Sequence, residues 1–238
     1  MSLEGKVILV TGAGSGIGAA TVALLRVRGA TAIATDLTGT DIRLDVTDPA
    51  DWDRVIADTV SRYGRIDGLV SNAGIAGATP LVDLELAEFR RFTAVTVEGA
   101  FLGIQKIVAQ MRAQGSPAQG SIVVVSSVMA TQAAPGVASY GATKAALSNM
   151  ARAIGIELGR KGEFIRVNVV APGGTVTPML EKAMPPGFVD NPLSWAGVPL
   201  REPQRAEDIA ETIAFLLSDE ASFMTSAIMT VDGGWSLT

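Results

Sequence analysis

The stretch TGAGSGIG, residues 11–18, lies between the apolar run KVILV (6–10) and the helix-like segment AATVALLRVRG (19–29). Glycine costs backbone entropy within a strand or a helix, so its concentration at this boundary indicates a special turn. Such a turn lets backbone N–H groups and a helix N-terminus approach a pyrophosphate. The spacing is G-x-x-x-G-x-G. By itself it predicts either a dinucleotide-binding turn or a strand-to-helix turn without a ligand.

The rest of the chain alternates short apolar runs with helix-like segments. We predict strands at residues 7–10, 31–35, 69–71, 122–126, 165–170 and 228–231. We predict helices at residues 16–28, 48–63, 85–113, 138–160 and 206–217. Most of the runs are continuously apolar, which is typical of parallel strands covered on both faces. The order therefore predicts one α/β domain, residues 1–238, with a Rossmann-type doubly wound parallel sheet.

Two segments depart from this alternation. Only residues 37–41 separate the second strand from a candidate third strand at Ile42–Leu44, whereas a crossover usually takes about 10–12 residues. We therefore expect a shortened crossover with little or no helix. Residues 178–205 are rich in proline and carry apolar side chains such as Met179 and Trp195. A long segment of this kind between two elements predicts a substrate lid.

The composition excludes several chemistries. The 238 residues carry a net charge of −5 and include neither cysteine nor histidine. These absences exclude a cysteine nucleophile, a Ser–His–Asp triad, a disulfide and a zinc site with imidazole or thiolate ligands. No basic block favours nucleic acid, and no apolar run approaches the roughly 18 residues that span a bilayer. We therefore expect a cytoplasmic protein with neither a nucleic-acid nor a membrane partner.

An acidic residue, Asp36, follows the glycine turn at the end of the next predicted strand. Asp36 ends the second predicted strand, 18 residues past Gly18. An acid at about this distance is placed to hydrogen-bond the adenosine ribose hydroxyls, and its charge would repel a 2′-phosphate. No arginine or lysine adjoins Asp36 or lies within residues 11–18. The position favours NAD over NADP, although an exposed turn aspartate would occupy the same place in a sequence.

A tyrosine and a lysine share one face of a predicted helix. Tyr140 and Lys144, in SYGATKAAL (139–147), have i, i+4 spacing. An ammonium beside a phenol favours the phenolate and lowers the tyrosine pKa from its usual value of about 10. Such a tyrosine can act as a general acid or base without histidine. The alternative is an ordinary surface tyrosine beside a helix lysine.

Together these motifs resemble the short-chain dehydrogenase/reductase family in its single-domain form. They occur in the family's order and extend from about Gly5 to Trp235. The matching stretches are TGAGSGIG (11–18), DVTD (45–48), NAG (72–74), VSS (125–127), Tyr140-x-x-x-Lys144, NVVAPGGTVTPM (168–179) and VDGG (231–234). Seven motifs in one order make a chance match improbable.

The resemblance implies roles for the catalytic residues. Tyr140 would be the general acid/base, and Lys144 would lower its pKa and hold the nicotinamide ribose hydroxyls. Ser127 would hydrogen-bond the substrate oxygen, with the adjacent Ser126 as the alternative. The family pattern has an asparagine of a proton relay where VTVEGAF (95–101) has Thr96. Either a water fills the gap that this shorter side chain leaves, or proton transfer is slowed or lost.

The resemblance also implies the cofactor contacts, with NAD and no metal. The glycine turn would bind the pyrophosphate, Asp36 the ribose, and three further segments the adenine and nicotinamide ends. The implied residues are Gly12, Ser15, Gly16, Ile17 and Gly18 in the turn, Asp45 and Val46 beside the adenine ring, Asn72, Ala73 and Gly74 on the adenine side, and Pro172, Gly173, Thr175 and Thr177 around the carboxamide. Ser226 stands where the family usually has glycine, which we interpret as a tolerated change.

Three functions remain open at this point. The first is an NAD-dependent oxidoreductase acting on a secondary alcohol or ketone, with an apolar cyclic or aromatic substrate suggested by Met179 and Trp195. The second is a 3-oxoacyl thioester reductase of the same family. The third is a catalytically weak NAD-binding sensor or scaffold, which only Thr96 supports. The resemblance further implies a homotetramer, with a dimer as the alternative.

Overall fold

A computed structural model describes residues 1–237 of the chain. Its centre is a seven-stranded sheet, whose strands are β1 (Val7–Thr11), β2 (Thr31–Asp36), β3 (Ile42–Arg43), β4 (Gly68–Ser71), β5 (Gln119–Val125), β6 (Phe164–Pro172) and β9 (Ile228–Val231). Every neighbouring pair of strands is parallel, and the order across the sheet is β3-β2-β1-β4-β5-β6-β9. The predicted α/β, Rossmann-type doubly wound sheet is confirmed.

Helices cover both faces of the sheet. The helices are α1 (Gly16–Val27), α2 (Pro49–Tyr63), α3 (Leu86–Thr93), α4 (Gly99–Ala113), α5 (Ala138–Arg160), α6 (Pro178–Ala183) and α7 (Ala206–Leu217). Buried side chains of α2, α4 and α5 form one apolar layer, and those of α1 and α7 form the other. The continuous apolar character of the strands follows from this double coverage, because both faces of each central strand are removed from water.

The shortened crossover is confirmed. Strand β3 follows β2 after five residues, without a helix, and pairs with it through Thr35–Ile42 and Asp36–Arg43. It is a two-residue strand at the edge of the sheet, one residue shorter than predicted. A crossover this short is possible because the chain needs to retrace only a short distance along β2.

Two predicted elements differ in detail. The single helix expected at 85–113 is divided by a π-helical turn, Ala94–Glu98, between α3 and α4. The proline-rich segment has structure of its own: α6 opens it, a 3₁₀ turn at Pro192–Trp195 follows, and a two-stranded parallel sheet joins its ends. That small sheet pairs β7 (Thr175–Val176) with β8 (Gln204–Arg205). Neither strand was predicted, since two-residue strands leave no periodicity to detect.

The joined helices α3 and α4 make one segment, Leu86–Ala113, that is long and apolar enough to cross a membrane by length and composition. Core helices commonly meet the same criterion. Ile104, Ile107 and Met111 of α4 are fully buried in the layer that also contains Trp52 of α2 and Leu69 of β4. Packing within the fold accounts for the buried part of this apolar segment, while Leu86 and Phe101 stay exposed.

Candidate active site

The glycine turn forms a tight backbone crossing at the carboxyl end of β1. Gly12 and Gly16 have φ angles of +66° and +53°, which side-chain-bearing residues rarely adopt. A Cβ on Gly18 would overlap the Gly12 carbonyl oxygen and lie 2.7 Å from Nδ2 of Asn72. The Asn72 amide in turn donates to the carbonyl oxygens of Thr11 and Gly12, at 3.0 Å each. The backbone segments of the turn are thus in direct van der Waals contact, and Asn72, directly after β4, holds them together.

The residues of this turn fit a dinucleotide pyrophosphate. Helix α1 begins at Gly16, and Ser15 before it is exposed and makes no side-chain capping bond. The first N–H groups of the helix, including that of Ile17, have no side-chain cap, as in sites that bind phosphate oxygens. A Cβ on Gly16 would lie 3.1 Å from Cγ2 of Thr177, so the turn faces the segment after β6 across a narrow cleft. Gly12, Gly16, Gly18 and Thr177 would border the bound cofactor.

The end of the cleft that is predicted to hold the adenosine is bordered by acidic residues. Asp36 Oδ2 accepts from the Gly14 N–H at 2.9 Å and Oδ1 from the Leu37 N–H at 2.6 Å, so its carboxylate is fixed beside the turn. Asp45 Oδ1 accepts from the N–H and the hydroxyl of Thr47. Val46 is buried, and its carbonyl oxygen accepts from Trp52 Nε1 at 2.9 Å. The predicted ribose and adenine residues therefore lie at the same edge of the sheet.

One cation near Asp36 escaped the sequence analysis. Arg43 is seven residues further along the chain but pairs directly with Asp36 in the β2–β3 register. Its guanidinium is bound to Asp51 of α2, with Nη1 and Oδ2 at 2.8 Å. No basic residue adjoins Asp36 in the sequence, but Arg43 adjoins it in the folded sheet. The register of the edge strand, which sequence spacing does not show, is the signal that was missing.

Ser127, Tyr140 and Lys144 meet beyond the carboxyl end of β5. Lys144 Nζ donates to the carbonyl oxygen of Val125 at 2.9 Å and lies 5.7 Å from the centre of the Tyr140 ring. The Ser127 hydroxyl lies near enough to the Tyr140 side chain to lower its pKa, and it accepts from the Met129 N–H at 3.2 Å. Tyr140, Lys144 and Ser127 therefore lie close together, as the i, i+4 spacing and the resemblance at the VSS stretch predicted.

The two adjacent serines point in different directions. Ser126 Oγ contacts the Lys144 carbonyl oxygen at 3.0 Å and Oγ of Ser148 at 2.6 Å, within the interior. Its side chain is therefore occupied in fastening β5 to α5, while Ser127 faces Tyr140. Of the two alternatives left open by the sequence, the geometry favours Ser127 as the serine that meets a substrate.

The pKa of Tyr140 beside Lys144 shifts in the direction opposite to the prediction. Burial lowers the pKa of Lys144 to about 8, and burial raises the pKa of Tyr140 above its usual value, with the nearby Ser127 side chain acting in the opposite direction. The expectation that Lys144 lowers the Tyr140 pKa is not met in this structure. The reason is that desolvation disfavours both charged forms, and a lysine with a pKa near 8 is already neutral where tyrosine ionises.

A spectrophotometric titration of the purified protein tests this. The chain has two tyrosines, so a Tyr63→Phe variant reports Tyr140 alone through the phenolate absorbance near 295 nm. We expect a midpoint above 10, with the fold monitored by circular dichroism over the same pH range. A midpoint well below 10 would mean that Lys144 remains charged and lowers the tyrosine pKa after all.

Thr96 lies in the π-helical turn beside this group. It is fully buried, and its Oγ1 has no hydrogen-bond partner among the described residues. A Cβ on Gly74 would lie 3.5 Å from Lys144 Nζ and 3.7 Å from Thr96 Oγ1, so both polar groups border the same glycine. Ala73, between Asn72 and Gly74, is held by its N–H to Thr11 Oγ1 at 3.0 Å. An unpaired buried hydroxyl next to a buried amine is a place where a water molecule would find partners.

The segment after β6 is fixed by its own hydrogen bonds. Pro172 pairs with Val231 of β9, and the Gly173 N–H donates to the Val231 carbonyl oxygen at 2.9 Å. Thr175 Oγ1 donates to Gln204 Oε1 at 3.0 Å, across the small β7–β8 sheet. Thr177 Oγ1 accepts from the Leu180 N–H and so caps α6. The segment predicted to surround the carboxamide therefore leads directly into the lid.

Within the lid, residues 178–205, the two predicted substrate contacts have different surroundings. Met179 is 44% exposed on α6, beside the cleft-facing Thr177. Trp195 is only 5% exposed: its Nε1 donates to the Val189 carbonyl oxygen, and its ring packs edge-on against Phe188. Met179 is available to a ligand, whereas Trp195 mainly forms the packed base of the lid.

Ser226, in place of the family's glycine, has a φ angle of +60°. Its N–H donates to the Val167 carbonyl oxygen at 2.7 Å, and its hydroxyl donates to the Arg152 carbonyl oxygen at 2.9 Å. A left-handed serine is strained by about 1–2 kcal/mol, and these two bonds offset that cost. This is consistent with the interpretation of a tolerated change.

Comparisons with known proteins agree with this geometry. The family model described as enoyl-(acyl carrier protein) reductase matches residues 12–236. The 3-oxoacyl-[acyl-carrier-protein] reductase FabG of Thermotoga maritima is 39% identical over 98% of this chain and 99% of its own. The cis-4-hydroxycyclohexanecarboxylate dehydrogenase of Sinomonas cyclohexanicum is 38% identical over 97% of this chain and 96% of its own.

A solved structure extends the comparison to the fold. The 3-ketoacyl-(acyl-carrier-protein) reductase of Brucella melitensis, crystallised with NADH, superposes with a TM-score of 0.89 and 32% identity, over 99% of this chain and 100% of that one. The match covers both the glycine turn and the Ser127–Tyr140–Lys144 group. The chain therefore belongs to the short-chain dehydrogenase/reductase family of oxidoreductases, which use a nicotinamide cofactor.

Proposed function

We propose that the protein is an NAD-dependent oxidoreductase that interconverts a secondary alcohol and a ketone. The observation that carries the proposal is the meeting of Ser127, Tyr140 and Lys144 at the end of β5, across the cleft from the glycine turn to which Asp36 of β2 is hydrogen-bonded. Asp36 supports NAD over NADP because its fixed carboxylate would repel a 2′-phosphate. The relative crystallised with NADH is consistent with that preference.

The chain's own residues would handle the oxygen and its proton. Bound nicotinamide supplies the hydride acceptor or donor. In alcohol oxidation, the Tyr140 oxygen takes the hydroxyl proton while Ser127 donates a hydrogen bond to the oxygen that becomes a carbonyl. In ketone reduction, Tyr140 returns the proton. Because burial raises its pKa, Tyr140 is protonated at neutral pH and can donate its proton in ketone reduction, whereas in alcohol oxidation it must first lose that proton to solvent before its oxygen can act as the base.

The substrate that we favour is an apolar cyclic or aromatic alcohol, ketone or diol. Exposed apolar groups of the lid, Met179 and Met184, support it, and residues 183–200 contain no arginine or lysine to bind a charged group. The relative named for cis-4-hydroxycyclohexanecarboxylate supports the cyclic alcohol but not the absence of charge, because its named substrate is a carboxylate. The second candidate is 3-oxoacyl thioester reduction, which the name of the Thermotoga maritima relative supports.

An assay of purified protein with NAD or NADP tests the proposal. The panel contains cyclic, aromatic and aliphatic secondary alcohols for oxidation, and cyclic ketones and a 3-oxoacyl thioester for reduction. We expect NADH formation with a cyclic or aromatic alcohol and little turnover with NADP. Turnover confined to the thioester would select the second candidate. Cofactor binding without turnover on any member would favour the sensor or scaffold, which only Thr96 supports.

The Thr96 hydroxyl, in this proposal, hydrogen-bonds a water beside Lys144 and helps protons leave the site. We expect Thr96→Val, which keeps the shape and removes the hydroxyl, to lower kcat about tenfold without raising the KM for NAD. The free energy of unfolding should not fall, because the hydroxyl has no partner to lose among residues 1–237. Thr96→Asn is the matched variant that restores a donor and an acceptor. A full rate in Thr96→Val would reduce Thr96 to a packing role.

We also propose that the protein is a cytoplasmic homotetramer, whose only ligands are small molecules. Apolar side chains stay exposed on the elements that family members use for assembly, including Phe101 of α4, Ile156 of α5 and Ile228 of β9. These positions would bury apolar area between copies. Light scattering on the purified protein distinguishes a tetramer from the alternative dimer.

A further inference from the structure

The adenosine end of the cleft contains a basic residue that is turned to another partner. Directly paired residues on parallel strands have Cα atoms about 4.8 Å apart, so Arg43 begins beside Asp36. Its side chain is 61% exposed and ends on Asp51, whose side chain is only 14% exposed. An arginine placed next to a ribose-binding acid is long enough to reach the ribose hydroxyls or a phosphate on them. In this fold it is occupied elsewhere.

Asp51 holds several groups at once. Oδ2 accepts from Arg43 Nη1 at 2.8 Å and from the Asp45 N–H at 2.9 Å, and Oδ1 accepts from Arg54 Nη2 at 2.8 Å. The Asp45 N–H, together with Arg54 and Arg43, lowers the pKa of Asp51, so the carboxylate is charged at neutral pH. Arg54 Nη2 also donates to the Arg43 carbonyl oxygen at 2.6 Å. The arrangement ties the start of α2 to the edge strand and to the adenine-side residue Asp45.

We propose that Asp51 is a second determinant of the NAD preference, acting by holding Arg43 away from the adenosine ribose. Asp36 repels a 2′-phosphate directly, and Asp51 withholds the cation that would bind one. Release of Arg43 would let the same corner accept a 2′-phosphate, for which the arginine guanidinium is well suited. The inference rests on the proposed NAD preference and adds Asp51 to it as a positioning residue.

The isosteric variants Asp36→Asn and Asp51→Asn, alone and combined, separate the two contributions. The Asp51→Asn substitution keeps a side-chain oxygen for the Asp45 N–H and removes the charge that binds Arg43. The probes are AMP and adenosine 2′,5′-bisphosphate, whose dissociation constants are measured by calorimetry, so that no step depends on turnover. The ratio of the two constants removes any general damage to the adenosine site, because both ligands share the adenosine and the 5′-phosphate.

We expect the wild-type protein to bind AMP more tightly than the bisphosphate. Asp36→Asn should bring the dissociation constant of the bisphosphate closer to that of AMP. The combined variant should lower the ratio of the bisphosphate constant to the AMP constant by about a further tenfold, as one charged hydrogen-bonded contact implies. Adding Arg43→Ala to the combined variant should cancel that further gain. Arg54→Ala is the matched control, since it removes the other arginine of Asp51, and it should leave the gain in place. The gain should also shrink as salt is raised.

The outcomes distinguish the two levels of inference. A combined variant that binds the bisphosphate no better than Asp36→Asn would overturn the role of Asp51 while leaving the NAD preference intact. Cancellation by Arg54→Ala instead of Arg43→Ala would overturn the assignment of the cation. A wild-type protein that binds the bisphosphate more tightly than AMP would remove the NAD preference itself, and the proposed function would fail with it.

Discussion

Tyr140→Phe should lower kcat/KM for alcohol oxidation by about 10³-fold or more, because it removes the atom that takes the substrate proton. The substitution deletes one hydroxyl and keeps the ring that packs near Lys144, whose Nζ lies 5.7 Å from the ring centre. The only side chain that affects the pKa of this hydroxyl is Ser127, so we expect the substitution to disturb the fold little. Cofactor affinity should stay within about twofold of wild type, and turnover alone should be lost.

The matched control is Tyr63→Phe, which makes the same chemical change at an exposed position on the last turn of α2. It should leave turnover and the melting temperature unchanged. Measurement of NADH formation for turnover and of cofactor fluorescence for binding separates catalysis from affinity. If Tyr140→Phe retained a tenth or more of the wild-type rate, another group would have to move the proton. That group could not be a histidine or a cysteine, because the chain contains neither.

The elements with strong local signals were predictable. Helix α5 and strand β9 have the predicted bounds, Ala138–Arg160 and Ile228–Val231, because long periodic or continuously apolar runs specify them. The catalytic group was also predictable, since Tyr140 and Lys144 share one helix and their spacing survives any tertiary arrangement. The absence of a helix between β2 and β3 followed from chain length alone.

The features that depend on relations between elements were not predictable. The pairing of Arg43 with Asp36 follows from the register of an edge strand, and the choice of Ser127 over Ser126 follows from which way a strand end turns. The direction of the Tyr140 pKa shift depends on burial, which the i, i+4 spacing does not report. The π-helical turn around Thr96 interrupts a helix without interrupting its apolar pattern.

Gly18→Ala should be among the most damaging single substitutions in the glycine turn. Alanine is more favourable than glycine in a helix interior by about 1 kcal/mol, so helix propensity alone predicts that Gly18→Ala stabilises the fold. The new Cβ would instead overlap the Gly12 carbonyl oxygen and lie 2.7 Å from Asn72 Nδ2. A hydrogen bond of 3.0 Å joins these two groups, and Asn72 Nδ2 also donates to the Thr11 carbonyl oxygen, so neither group can move away without loss. We expect a net loss of about 3 kcal/mol in the free energy of unfolding, or roughly 10 °C in Tm.

Gly159→Ala provides the control of opposite sign. Gly159 lies in α5 with open space where a Cβ would go, so only the propensity term remains and stability should rise by up to about 1 kcal/mol. Chemical denaturation of both variants measures the difference in their free energies of unfolding.

Gly18→Ala should also weaken NAD binding more than tenfold, because relief of the overlap moves the start of α1 away from Gly12 and widens the turn that would bind the pyrophosphate. A Gly18→Ala protein as stable as Gly159→Ala, with unchanged NAD affinity, would mean that the backbone crossing is loose, and the close approach that defines this turn would not exist.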